Sequence, residues 1–201
     1  GDDRHLDLAA LKLGNRGANP NEYPYDIGRL KNVLSRAAQH SKWERHTDLP
    51  QGQGLGIACC RSFLGYTGHV VEVSVTQKGT VSVDRVWCSI DSGTIVSPDR
   101  VHAQVEGAAI MGISQAMYGE MPMKKGRAVH SNFDGFRVAR MNDAPKEINI
   151  DIIKSDAAPG GVGETGIGSF APALCNAIFA ATGKRVRDLP IKNHDLSWTI
   201  Q

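Results

Sequence analysis

The residues best placed to do chemistry lie near the C-terminal end, in Gly160-Gly161-Val162-Gly163-Glu164-Thr165-Gly166-Ile167-Gly168. One carboxylate, Glu164, stands among five glycines and precedes a run of small residues. Glycine lets the main chain take φ > 0 and approach a bound group closely. A carboxylate held at such a turn is placed to take a proton. A glycine-rich surface loop with one solvated acid is the competing reading of the run alone. Residues 161–166 also satisfy G-x-G-x-x-G. That pattern means dinucleotide binding only after a strand and before a helix, with an acid about 20 positions on. Here Lys154 to Pro159 separate the loop from the preceding strand, and Arg185 to Pro190, around Asp188, do not form a buried-strand pattern. Glu164 would also put a negative charge where a pyrophosphate must lie. Nucleotide binding of that type is excluded.

Cysteines stand at 59, 60, 88 and 175, and histidines at 5, 40, 46, 69, 102, 130 and 194. No spacing among them matches a zinc or iron–sulfur ligand set, so no metal site is assigned to protein side chains. Buried thiols are the plainer reading of the cysteines and fit a reducing compartment. The net charge of +2 comes with mixed signs and only short basic runs, which gives no footprint for nucleic acid. No apolar run reaches membrane-spanning length. The 201 residues suffice for one large domain or two small ones.

These elements must position the loop. Residues 1–26 are expected to form a short helix and then a loop. Ile27, Leu30, Val33, Leu34 and Ala37 predict a helix over 27–43. The turn-rich stretch 48–54 is the expected boundary, giving a helical lead-in segment over 1–50 and the main domain over 51–201. Strands are predicted at 55–63, 69–76 and 81–90, the last two joined as an antiparallel hairpin through Lys78-Gly79. A helix over 98–118, with Ser97 as N-cap, carries the small stripe Val101, Val105, Ala108, Gly112 and Ala116, which suits close helix packing around Gly107. A strand at 147–153 and an Ala-rich helix at 171–182, closed by Gly183, follow. The fold class is α+β, with helices on one face of a mainly antiparallel or mixed sheet.

Three ordered blocks carry a resemblance over most of residues 52–191. They are Gly161-Val162-Gly163-Glu164 with Ala171 to Arg185, Ile90-Asp91-Ser92-Gly93 followed by Pro98 and Ala103-Gln104-Val105-Glu106-Gly107, and Ser131-Asn132-Phe133-Asp134 with Arg140-Met141-Asn142. Together they resemble the C-terminal molybdopterin-binding domain of the molybdenum-binding subunit in the xanthine dehydrogenase/aldehyde oxidase family. The third block is similar to the isoquinoline 1-oxidoreductase β-subunit branch in particular.

The resemblance implies a molybdenum hydroxylase that uses water as oxygen donor, with an N-heteroaromatic such as isoquinoline, or an aldehyde, as substrate. It implies Glu164 as the catalytic general base. Gln104, Val162 and Gly163 are implied as contacts to a molybdopterin, in its cytosine dinucleotide form, that carries the molybdenum. A neutral amide such as Gln104 can both donate and accept, which suits the mixed edge of a pterin; a solvated face remains the reading of Glu106. The implied partners are the remainder of the molybdenum subunit and a [2Fe-2S] subunit or domain. The compartment is expected to be bacterial cytoplasm or periplasm. About 200 residues are expected to be a C-terminal part of that subunit, inactive and without cofactor when isolated. Thr165 stands where the family carries proline, which implies a looser loop. A non-catalytic interaction or scaffold domain that keeps the fold is the alternative.

Overall fold

In the computed structural model, which describes residues 5–200, the N-terminal segment turns where a short helix is predicted. β1 (His5–Leu6) pairs antiparallel with β2 (Tyr25–Asp26). Between them Lys12, Arg16 and Gly17 adopt φ of 53°, 54° and 78°, values that interrupt a right-handed helix. α1 (Ile27–Ser41) follows as expected, capped by the Asp26 carboxylate, which accepts the Arg29 amide at 3.1 Å.

β3 (Gln53–Ser62), β4 (Gly65–Val75) and β5 (Val81–Asp91) form an antiparallel meander. α2 (Pro98–Ile113) then crosses over the sheet. Ser97 occupies its cap position but makes no side-chain cap bond. The predicted last turn of this helix widens into a π-helical turn at Ser114–Tyr118, beginning where the Ser114 hydroxyl donates back to Ile110 O at 3.1 Å. A small hairpin of β6 (Met123–Lys124) and β7 (Arg127–Ala128) precedes β8 (Glu147–Ile152). The main sheet has the order β3-β4-β5-β8 and is mixed, because β8 pairs parallel with β5 after the long crossover. α3 (Phe170–Thr182) ends at Gly183, whose φ of 73° lets its N–H reach Phe179 O at 2.8 Å. Among the described residues, no helix is long and apolar enough to cross a membrane.

Helices cover both faces of the sheet, not one. The reason is that β4 carries buried apolar residues in both phases of its alternation, Tyr66 and Val70 in one and Val71, Val73 and Val75 in the other. Val71, Val73 and Val75 pack with Ala173, Ala177 and Ile178 of α3. Val70 packs with Ala37 of α1 on the other side. Small residues set both spacings. A Cβ on Gly56 would fall on the Ala173 carbonyl and the Ala177 amide, and one on Gly54 on the Ala177 carbonyl. The α3 backbone therefore sits directly on β3. Across the other face, a Cβ on Gly68 would come within 2.5 Å of Val33 O.

The α1 side is also held by charge. Arg29 meets Asp91 at 2.6 Å, Arg36 meets Asp151 at 2.6 Å, and Glu72 lies between Arg45 (2.6 Å) and Arg85 (2.8 Å). Burial pushes the Glu72 carboxyl up, but hydrogen bonds from Arg45 and Arg85 outweigh it and hold it below the usual range. Residues 48–54 turn tightly into β3. The Gly52 amide bonds Ala181 O at 2.9 Å, and its carbonyl takes the Val75 amide at 2.7 Å.

Candidate active site

The glycine loop is seated by elements far from it in sequence. At the end of β5, Ser92 O accepts the Gly160 amide at 2.8 Å, and the Ser92 hydroxyl donates to Gly161 O at 3.2 Å. The β3–β4 turn supplies Phe63 O to the Gly161 amide, also at 2.8 Å. Phe63 and Leu64 hold φ of 49° and 69°, a left-handed pair that side chains other than glycine rarely adopt. Gly65 brings this turn against the loop, because a Cβ there would lie 2.5 Å from Ser92 Oγ and 3.1 Å from Gly161 O. The Asp91-Ser92-Gly93 block is thus the seat of the loop, and Asp91 itself is tied to Arg29 and to the Gly93 amide.

Thr165 does the work that proline was expected to do. It is fully buried, and its hydroxyl lies between Gly161 O (2.6 Å) and Ser62 O (3.2 Å). Its carbonyl accepts the Thr67 hydroxyl at 3.0 Å. The loop is fastened from both ends, which corrects the expectation that Thr165 loosens it.

Between these anchors, Gly163 and Glu164 are exposed. Gly166 packs on α2, where a Cβ would lie 2.9 Å from Ala108 Cβ. This contact brings Gln104, one turn earlier and exposed, beside the loop: a Cβ on Gly163 would have Gln104 Nε2 as its neighbour at 3.7 Å. The Val162 side chain is committed to packing with Ile90, Val101 and Val105, so its available group is the main chain. Among the described residues, the N–H groups of Val162 and Gly163 meet no acceptor, and the Glu164 side chain has no hydrogen-bond or ion-pair partner. Gly112 packs under Phe170, as the small stripe predicts. Gly107 does not: a Cβ there would meet open space. The third sequence block stays away from this site, on an exposed segment with Phe133 and Met141 69% and 89% exposed.

This surface fits an organic cofactor recognised by hydrogen bonds. Gln104 and two unpaired amides provide polar groups, while Gly107 and Gly163 leave room for close approach. Among the described residues, no group of three or more His, Cys, Asp and Glu is gathered to hold an ion. The sequence profile of the molybdopterin cofactor-binding domain matches residues 30–145, more than half of the chain. The chain belongs to this family. Gln104 lies inside the matched span, and the glycine loop lies beyond it.

Two relatives match more of the chain than the profile does. The isoquinoline 1-oxidoreductase subunit beta of Brevundimonas diminuta is 36% identical over 80% of the chain and 21% of its own length. The membrane-bound aldehyde dehydrogenase [pyrroloquinoline-quinone] of Gluconacetobacter polyoxogenes is 31% identical over 94% of the chain and 25% of its own length. The chain therefore spans about a quarter or less of these relatives. Among solved structures, the aldehyde oxidoreductase from Desulfovibrio gigas superposes with a TM-score of 0.55 at 25% identity, over 64% of this chain and 15% of that one.

Sequence reasoning did not single out His69, Thr67 and Ser169, which lie beneath the loop and are fully buried. The signal was present, since 67 and 69 continue the inward phase of Val71, Val73 and Val75. Burial pulls the His69 imidazole down to about 4 from its ordinary 6.5. The unfolded chain therefore takes this proton first, so stability is full above pH 6.5 and falls as pH drops toward 4. Wild type is expected to lose about 2 kcal/mol more than His69→Gln between pH 7 and pH 5 in urea unfolding. Equal losses would show that His69 is not held neutral.

Proposed function

We propose that this domain forms part of the active centre of a molybdenum hydroxylase, with Glu164 as general base and Gln104 as a cofactor ligand. The observation that carries this reading is the packing of Gly166 on Ala108, which sets Gln104 beside the Val162–Glu164 turn. Gln104 and the main-chain amides of Val162 and Gly163 would hold a molybdopterin, proposed in its cytosine dinucleotide form. When bound, that group supplies two-electron redox chemistry. Glu164 extends from a fastened turn and meets no competing partner among the described residues, so its carboxylate would be free to take the proton of the oxygen that attacks the substrate carbon. Thr165, Ser62 and Ser92 keep the turn in place while the proton moves.

The proposed substrate is an N-heteroaromatic of the isoquinoline kind, or an aldehyde; similarity to an isoquinoline 1-oxidoreductase subunit and to an aldehyde dehydrogenase supports these classes. The domain is proposed to work with further residues of a molybdenum-binding subunit and with a [2Fe-2S] partner that carries electrons away, in bacterial cytoplasm or periplasm. The 201 residues alone are proposed to be inactive and without stoichiometric cofactor.

The test is made in the complete subunit co-produced with its iron–sulfur partner. Gln104→Ala removes an amide worth about one to two net hydrogen bonds, and is expected to leave roughly a tenth of the wild-type molybdenum and pterin after gel filtration. Unchanged content would remove Gln104 from the cofactor site. Dye-linked turnover of isoquinoline against aldehyde then separates the two substrate classes.

A further inference from the structure

A closed polar chain runs under the loop. His69 Nδ1 lies 2.8 Å from Ser169 Oγ, Ser169 Oγ lies 2.9 Å from Thr67 Oγ1, and Thr67 Oγ1 lies 3.0 Å from Thr165 O. All four residues are buried, and among the described residues His69 Nε2 has no hydrogen-bond partner. The ring is wedged edge-on against Phe170, with centroids 5.9 Å apart.

Only one arrangement of hydrogens uses all three of these contacts; the Cys60 thiol, 3.4 Å from Thr67 Oγ1, stands outside the chain. A carbonyl oxygen can only accept, so the Thr67 hydroxyl must donate to Thr165 O. Thr67 Oγ1 then accepts from the Ser169 hydroxyl, whose oxygen in turn accepts from Nδ1–H of His69. In the opposite tautomer Nδ1 would accept from Ser169, and the single Thr67 proton could then serve either Ser169 Oγ or Thr165 O, so one of the three contacts would carry no hydrogen. If it served Ser169, Thr165 O would be left with only the Cys60 thiol at 3.9 Å, a long and weak replacement; if it served Thr165 O, the short Ser169–Thr67 contact would bring two oxygens together without a proton. That tautomer would also bury an Nε2–H with no acceptor, which costs more than a bare acceptor.

We infer that His69 is a positioning residue for the Glu164 loop, held as the neutral Nδ1–H tautomer so that its proton directs the Ser169–Thr67 chain onto the Thr165 carbonyl. The inference concerns the Thr165–Gly166 peptide, one residue beyond Glu164, and its catalytic importance rests on the reading of that loop given above.

The first test uses the 201-residue chain with ¹⁵N-labelled histidine. Long-range ¹H–¹⁵N correlations are expected to show a pyrrole-like Nδ1 and a pyridine-like Nε2 for His69. The reverse pattern, or a cationic ring at neutral pH, overturns the inference without any reference to catalysis. In Ser169→Ala, His69 is expected to shift toward the Nε2–H form. Hydrogen exchange at the Ile167 amide, which bonds Glu164 O at 3.0 Å, is expected to speed up by roughly tenfold while the β4–β5 ladder stays protected. Unchanged exchange at Ile167 would remove the positioning role. In the assembled enzyme, Ser169→Ala is expected to lower turnover in wild type but to add nothing to Glu164→Gln. Independent, multiplying losses would show that Ser169 does not act through Glu164. An inert Glu164 combined with the expected tautomer would instead retire the base and leave the chain of hydrogen bonds standing.

Discussion

Glu164→Gln, placed in the complete subunit with its iron–sulfur partner, is expected to lower turnover by roughly 10²–10⁴-fold, the usual contribution of a general base. The substitution keeps the size of the side chain and a polar end, and removes its negative charge and with it the ability to accept a proton. It should leave the fold untouched, because Glu164 is exposed and its side chain makes no bond to any described residue; surface changes of this kind stay within about 0.5 kcal/mol. Molybdenum and pterin content should therefore equal that of wild type, in contrast to Gln104→Ala. Turnover equal in the two proteins would remove the base and favour a domain that keeps the fold without the chemistry. Loss of cofactor together with activity would instead make Glu164 a binding residue.

The second large effect is on stability. Gly56→Ala puts a methyl group onto the Ala173 carbonyl and the Ala177 amide of α3. Backbone cannot swing aside as a side chain can, so α3 must move as a unit and carry Leu174, Ile178 and Phe170 with it. Overpacking costs about 1–3 kcal/mol when side chains can yield, and this site is expected to exceed about 3 kcal/mol. Gly107→Ala is the matched control. It meets open space and lies inside a helix, where alanine is favoured by about 0.5–1 kcal/mol. Urea midpoints should move in opposite directions. A Gly56→Ala protein as stable as wild type would mean that α3 does not rest on β3.

Most of the fold could be read from periodicity. The β4–β5 hairpin announced itself through Val71, Val73 and Val75 and the Lys78-Gly79 turn, and α3 through its alanines and Gly183. What stayed hidden depended on contacts between distant segments. The covering of the second face rested on Val70 and Gly68, which break no alternation rule and show their meaning only when α1 lies on them. The pairing of β8 was equally invisible, since a parallel partner leaves no local turn signal. In the candidate site, the glycines around Glu164 were conspicuous, but Thr165 read as a missing proline. Its buried hydroxyl found Ser62 O and Gly161 O instead. Seating the loop on Ser92 and Phe63 required three segments to meet, which a single run of sequence cannot display.

The seating of the loop also sets the order in which the molecule can be built. Ser62, Thr67 and Ser92 lie roughly 70 to 100 positions before the residues they hold. None of these bonds can form until the meander is in register, and contacts this distant in sequence are slow to close. The Val162–Glu164 turn must therefore be among the last parts of the chain to take shape. A bulky cofactor that arrives early meets a sheet without its rim. One that arrives late meets a finished seat, so under the function proposed above loading would follow folding.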